Sequence, residues 1–413
     1  MSLVSFVLVS LISVGSFAAQ IPDFLKNPFA ATITSTLVTA ESASSFQRGQ
    51  VTLLPSRKSV PLMERAVDFN YSFRLRADEK APLVFLIPGT GGTSESAGVL
   101  LIAEQLFKQG YHVVTVDNPF SWRFAVAGSK SGLPGYTPRD AADLYVAFKK
   151  VAKTLKADHG IQPQSYSLLG YSLGGLQSLF IGEIDQKVRA FDFQRILIIN
   201  PPANLLYAVE RLDALADVKK QMTPQQRQNV NFKVQRVTGA VTSGKVSLRD
   251  PMQMDQIFKQ ERFTDLELSY LIGNEFHDSL GGIIFSTQQV SDLGILKVPA
   301  TKYKRNARNA EISKYSFAQY MNLFLLPTLK RTHGADYTVE QLNHEASIFG
   351  MADVIRSNER IYMVTTVDDL FSKPADIAWM QKQFGKRALV LPFGGHCGFY
   401  SLPVFKEHLK SIF

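Results

Sequence analysis

Leu168-Leu169-Gly170-Tyr171-Ser172-Leu173-Gly174-Gly175 is an apolar stretch that runs into a Gly-x-Ser-x-Gly turn and on into small residues. Ser165–Leu169 before it reads as a strand, and Gly175–Ile181 after it reads as a helix. A serine on such a strand-to-helix corner projects its hydroxyl from the sheet edge, where it can act as a nucleophile. Side chains two positions before and after would collide with the neighbouring strand and helix, so Gly170 and Gly174 stand there. The pentapeptide also arises by chance; its strand–turn–helix context gives it meaning.

Toward the N-terminus, Leu83–Ile87 is a continuous apolar run, as expected of a parallel strand buried on both faces. The Gly-rich loop Pro88–Gly92 follows it. Val99–Gln109 reads as a helix closed by Gly110, Tyr111–Val116 as a strand, and Pro138–Asp158 as a long helix. Val67–Arg76 alternates with a period of two, the pattern of a half-buried strand. Residues 20–65 are polar and mixed, with weak strand and turn signals. Toward the C-terminus, Arg195–Asn200 is the next strand. From 202 to 358 helical patterns dominate: Leu205–Val218, Asp255–Arg262, Asp265–Glu275, Ser316–Leu326, with Pro327 as a natural stop, and Val339–Arg356. Strands return at Arg360–Thr366 and Arg387–Leu391, and a last helix starts near Pro403.

Alternation of strand and helix predicts an α/β fold with a mostly parallel central sheet flanked by helices. The expected organisation is a signal peptide at 1–18, a first core part at 19–201, a helical cap insertion at 202–358 and a second core part at 359–413. The signal peptide is read from the apolar run Leu3–Phe17 and the small-x-small site Ser16-Phe17-Ala18, although no basic residue precedes Lys26. Export, to a bacterial periplasm or the medium, is the expectation. Cys397 is the one cysteine, so no intramolecular disulfide can form; a buried structural thiol is its expected role. No other window is long and apolar enough to span a bilayer.

Of 413 residues, 45 are basic and 36 acidic, a formal charge of +9. A solvated basic surface accounts for that surplus. The cluster Lys297, Lys302, Lys304, Arg305 and Arg308 reads as a solvated cap edge, with contact to anionic lipid head groups as the sharper alternative. No nucleic-acid module is recognisable, and nucleic-acid binding is not expected.

A serine hydroxyl needs a base to take its proton, and the base needs an orienting acid. Of the histidines after Ser172, His396 alone follows an apolar strand and sits in a Gly-flanked loop, Phe393-Gly394-Gly395-His396-Cys397-Gly398. His277, His333 and His344 fall in the insertion and His408 in the last helix. Asp369, just beyond the returning strand, is the first choice for the acid, with Asp368 beside it as the alternative. An oxyanion hole needs two backbone N–H groups; Leu173, after the serine, and Thr90, in the Gly-rich loop, are the candidates. Tyr171, beside the serine, and Phe324 are candidate substrate contacts. Phe317, Tyr320, Met321, Phe324 and Leu325 share one apolar face at helical spacing, which either packs within the cap or lines an acyl pocket.

These pieces resemble the α/β-hydrolase superfamily, in its capped esterase and lipase-like branch. The resemblance rests on Pro88-Gly89-Thr90-Gly91-Gly92, Gly170-Tyr171-Ser172-Leu173-Gly174, Asp369 and Gly395-His396, in the order Ser, Asp, His. It covers residues 65–200 and 358–413. One departure is Pro88, where many relatives carry histidine; a backbone donor tolerates it. The resemblance implies an α/β-hydrolase fold, no metal, no organic cofactor and a small-molecule or lipid ester as substrate. A thioesterase or serine peptidase would use the same parts. An inactive binding protein of the same fold is the alternative of another class, opposed by the intact Ser, Asp and His. Dinucleotide binding is the remaining rival: Gly89-Thr90-Gly91-Gly92-Thr93-Ser94 with Asp117 copies part of that fingerprint, but Ser94 replaces its third glycine.

Overall fold

The computed structural model describes residues 21–38, 40–63 and 66–413. The expected signal peptide therefore lies outside the described residues. Eight strands form one sheet: β1 (Gln47–Val51), β2 (Phe69–Arg74), β3 (Leu83–Ile87), β4 (His112–Val116), β5 (Tyr166–Tyr171), β6 (Arg195–Ile199), β7 (Ile361–Thr366) and β8 (Ala388–Leu391). Their spatial order is β1-β2-β4-β3-β5-β6-β7-β8. β2 runs antiparallel to both its neighbours, and every pairing from β4 to β8 is parallel. β5, which carries Tyr171 at its end, is central, as a parallel strand buried on both faces should be.

The period of two in β3 shows how the sheet is sandwiched. Leu83, Phe85 and Ile87 enter one apolar layer, with Leu144, Phe148 and Val151 of α4 (Thr137–His159) and Leu176 and Leu179 of α5 (Leu173–Val188). Val84 and Leu86 enter the other. There they meet α1 (Pro28–Leu37), α2 (Ala97–Lys108) and α16 (Pro403–Ile412), so each face of the sheet is covered. A further helix, α3 (Trp122–Ala127), follows β4.

Two elements appear where the sequence showed only weak signals, α1 and β1. Helix α1 is rich in Thr32, Thr34, Ser35 and Thr36, residues that compete with the backbone for hydrogen bonds. It is fixed by its ends and its packing. The Asn27 side chain accepts the N–H groups of Phe29 and Ala30, and Pro28 occupies the first turn.

Between β6 and β7 lie α6 (Leu205–Asp217), α7 (Pro224–Thr242), α8 (Pro251–Glu261), α9 (Asp265–Val290), α10 (Arg305–Ile312), α11 (Phe317–Gln319), α12 (Leu326–His333), α13 (Val339–Ala346) and α14 (Ala352–Ser357). Most build a separate apolar core around Leu212, Ile272, Ile284, Phe324 and Leu342. Ile348, Met351 and Ile355 instead join the layer under the sheet, so the cap's packing ends before α14. α15 (Pro374–Phe384) joins β7 to β8. Among the described residues, no helix is long and apolar enough to cross a membrane.

Three cap details depart from the sequence expectation. Helix α9 continues to Val290, well past Glu275, and runs through Gly281 and Gly282. A Cβ at Gly273 would lie 2.2 Å from the Leu215 carbonyl oxygen of α6, and Trp122 of α3 sits over Gly282. Pro327 does not stop its helix. A π turn over Tyr320–Leu325 precedes it; the widened turn absorbs the missing N–H and the ring's clash with the carbonyl four residues back. The helix then runs to His333. The stretch from Val339 to Arg356 is broken into α13, a 3-10 turn at Ile348–Met351 and α14.

Candidate active site

The corner after β5 is strained. Ser172 has φ 56° and ψ −130°, a region few side chains adopt. Close approach explains the flanking glycines. A Cβ on Gly170 would lie 2.1 Å from the Gly174 carbonyl oxygen, and one on Gly174 would lie 2.3 Å from that of Pro88. The corner is therefore wedged between the first turn of α5 and the end of β3, and Ser172 Oγ stands at the C-terminal edge of the sheet.

His396 reaches that edge from the loop after β8. Its Nε2 is 2.8 Å from Ser172 Oγ, and its Nδ1 is 2.9 Å from Asp369 Oδ1. Asp369 Oδ1 also accepts the Phe371 N–H at 2.9 Å, and Oδ2 accepts Asn200 Nδ2 at 2.6 Å. His396 and Asp369 are both buried. Burial disfavours the imidazolium, but the charge of Asp369, the neighbouring Cys397 and the hydrogen bond to Asp369 together outweigh burial and hold the His396 pKa well above the ordinary value. The Phe371 ring meets the imidazole edge-on at 4.7 Å.

Asp368, the alternative acid, points elsewhere. It accepts the N–H groups of Gly395 at 2.9 Å and Gly394 at 3.3 Å and so anchors the histidine loop from below. From the other side α1 holds it. Thr32 Oγ1 accepts the His396 N–H at 2.9 Å, and a Cβ at Gly395 would fall 2.3 Å from the Pro28 carbonyl oxygen. Thr32 and Asn200 were not singled out by the sequence reading. Asn200 sits at φ 43° just past β6, a left-handed position that asparagine tolerates.

The Gly-rich loop after β3 passes against the serine, since a Cβ on Gly89 would lie 2.9 Å from Ser172 Cβ. Its shape is set by Gly92 N–H to Gly89 O, Gly91 N–H to Phe120 O and Asn118 Nδ2 to Pro88 O at 2.7 Å. Among the described residues, the N–H groups of Thr90 and Leu173 have no acceptor, and both residues line the cavity at Ser172.

Two cavities meet at Ser172, Thr90 and His396. The smaller holds about 840 Å³ including its mouth and is walled by Phe120, Leu205, Phe317, Tyr320, Met321 and Leu325 among others. The larger, about 1760 Å³, runs between α1 and the cap helices α7, α8 and α9. Tyr171 lines the larger one, its ring 5.6 Å from that of Tyr400, and burial pushes its phenol pKa up. Phe324 lines neither, which corrects its expected place in a substrate pocket. It is fully buried in the cap core, stacked on Tyr320 at 5.5 Å and edge-on to Tyr315 at 5.4 Å. The π turn changes the angular step per residue, so Phe317, Tyr320, Met321 and Leu325 face the cavity without it.

Other sequence candidates resolve into structure. Asp117 is buried and accepts the Ser94 N–H at 2.7 Å, so it is not open to a ribose. Arg308 is buried and donates to the Val298 carbonyl, so it is no solvated edge, whereas Lys302 and Lys304 are exposed. Cys397 is buried and free. Among the described residues, no cluster of metal-ligating side chains converges.

No protein-family model and no curated protein sequence matches this chain. Among solved structures it is similar to the esterase Pf2001 of Pyrococcus furiosus, at 10% identity, with 91% of this chain and 94% of that one covered and a TM-score of 0.43. It is also similar to Est1E from Butyrivibrio proteoclasticus, at 12%, 84%, 93% and 0.38. A proline iminopeptidase-related protein of Thermus thermophilus gives 14%, 89%, 96% and 0.40. With β2 reversed beside seven further strands, a strained serine after the central β5 and a helical insertion between β6 and β7, this chain has the α/β-hydrolase fold.

Proposed function

We propose that this protein is a serine hydrolase that cleaves a carboxylic ester through an acyl-enzyme. The observation that carries the reading is the unbroken hydrogen-bond chain from Ser172 Oγ through His396 to Asp369. In this reading Ser172 Oγ attacks the acyl carbonyl while His396 Nε2 takes its proton. Asp369 holds the proton on Nδ1, so that Nε2 is the free acceptor, and stabilises the imidazolium that forms. The N–H groups of Thr90 and Leu173 receive the developing oxyanion; each such donor is worth about 3–4 kcal/mol in the transition state. His396 then protonates the leaving alcohol and activates the water that frees the acid.

Two mostly apolar cavities joined at the serine support a substrate with an apolar arm on each side of the scissile bond. A peptide would have to strip its backbone amides of water to enter them. The reading includes export, resting on the apolar run Leu3–Phe17, and N-terminal sequencing of the protein recovered from a periplasmic fraction tests it. For the activity, matched esters, thioesters and anilides of one acyl group are assayed. The ester is expected to give the highest kcat/KM; faster thioester or anilide cleavage would reassign the substrate class.

A further inference from the structure

The smaller cavity at Ser172 is walled almost wholly by carbon. Near α4 and the π turn, three polar side chains interrupt it: Thr137, Asp140 and Tyr320. Two are committed elsewhere. Thr137 Oγ1 donates to the Ala346 carbonyl at 2.9 Å, and the Tyr320 hydroxyl donates to the Pro134 carbonyl at 2.6 Å.

Asp140 differs. Its Oδ2 accepts the Gly135 N–H at 2.8 Å, which ties down the loop before α4. Its Oδ1 is buried and has no partner among the described residues, and the residue is only 2% exposed. A buried acceptor left empty is costly, and holding the Gly135 loop needs one oxygen, not two. A purely structural role would be met by asparagine or by a backbone carbonyl. Asp140 lines the cavity that opens on the nucleophile, so an occupant of that cavity is the candidate partner for the empty oxygen.

We infer that Asp140 is a specificity-determining residue that accepts a hydrogen bond from a hydroxyl group on the arm of the ester filling this cavity. The inference rests on the ester-hydrolase reading above. Burial raises the Asp140 pKa to about 7, against the opposing Gly135 hydrogen bond and the charge of Arg139, so near neutrality the group carries only part of a charge. A neutral hydroxyl suits such a partner. An ammonium would bring a full charge into a carbon-lined space with one incompletely ionised counter-ion, an unfavourable exchange.

The test compares wild type, Asp140→Leu and Asp140→Asn on ester pairs that differ only by one hydroxyl. The hydroxyl is stepped along the acyl arm in one series and along the alcohol arm in the other, with amino-substituted esters as a third arm. Wild type is expected to favour the hydroxylated member at one position by about tenfold in kcat/KM. Asp140→Leu is expected to lose that ratio, and Asp140→Asn, whose one amide oxygen is taken by the Gly135 N–H, to keep the loop in place and lose most of it. Equal treatment of both members at every position by wild type overturns the inference, and this needs no variant to fold. An unchanged ratio in Asp140→Leu, or a preference for the amino-substituted esters, overturns it as well. Failure of the parent reading looks different: folded wild type would turn over no ester in any series, and both conclusions would fall together.

Discussion

Thr32 Oγ1 accepts the backbone N–H of His396 at 2.9 Å, across 364 positions of sequence. The same hydroxyl donates to the Pro28 carbonyl at 2.6 Å. The N-terminal helix α1 is therefore the bed on which the histidine loop lies. Thr32→Val keeps the shape and removes the acceptor, leaving a buried N–H unpaired at a cost of about 1–3 kcal/mol. We predict a fall in kcat of about tenfold on ester substrates with a smaller change in KM, and recovery in Thr32→Ser. Steady-state kinetics checks this; a Thr32→Val enzyme with wild-type kcat would refute the role of α1.

The two adjacent aspartates separate by partner. Asp369→Asn, beside the His396 imidazole, is predicted to lower kcat by about 10⁴-fold through the wrong tautomer. Asp368→Asn is predicted to lower the melting temperature while costing far less activity, because Asp368 holds the Gly394 and Gly395 N–H groups rather than the ring. Kinetics and thermal melts on the two variants decide between them; the reverse pattern would exchange their roles.

The pH dependence has a definite sign. Burial opposes the charged ring, yet Asp369 raises the folded-state pKa of His396 well above 6.5. The base must be neutral, so kcat/KM is predicted to be lost as pH falls through that raised value, with an acid limb above 6.5. In stability the same pair acts the other way. Its contribution is full below the unfolded-state pKa and lost as pH rises through the folded one. Residual activity of Asp369→Asn should show its acid limb moved to lower pH. A pH–rate profile of both proteins checks this, and an unmoved limb would assign it to another group.

Two glycine-to-alanine changes are predicted to act in opposite directions. A Cβ at Gly174 would lie 2.3 Å from the Pro88 oxygen and 2.4 Å from the Ile87 oxygen, both backbone atoms that cannot step aside. Gly174→Ala should therefore cost about 3 kcal/mol or more. Gly239 lies within α7 with nothing inside 4 Å of the added carbon, so Gly239→Ala should stabilise by about 0.5–1 kcal/mol. Denaturant titrations measure both.

Within the cap, Phe324 and Leu325 are neighbours with different duties. Phe324→Ala removes a ring from the closed cap core and should cost about 3–5 kcal/mol, with the chain-length profile unchanged. Leu325→Phe narrows the smaller cavity and should shift the preferred acyl length downward. Melts and an acyl series distinguish them; a chain-length change in Phe324→Ala would return that ring to the pocket.

The parts of this molecule that are locally constrained were legible in the sequence. β3, β5 and the Gly170/Gly174 spacing announce themselves because steric demand fixes residue types within a few positions. Helix α1 did not, because its threonines argue against a helix and its stability comes from the sheet, the cap and the histidine loop. Its start carried a usable signal in Asn27-Pro28, an N-cap followed by a first-turn proline. Asn200 was invisible for another reason: nothing at a strand end reveals that its amide will meet a carboxylate 169 residues later. Pro327 misled because a π turn relieves the clash a proline makes in an α-helix, and that same turn moved Phe324 off the cavity wall.

Under the proposed function, Ser172 is an activated nucleophile. The most direct test is fluorophosphonate labelling of the purified protein, read by mass spectrometry of the modified peptide, with Ser172→Ala and His396→Ala alongside. A single adduct on Ser172 is expected, absent in Ser172→Ala and strongly slowed in His396→Ala. A folded wild type that remains unlabelled, or an adduct on another residue, would contradict it.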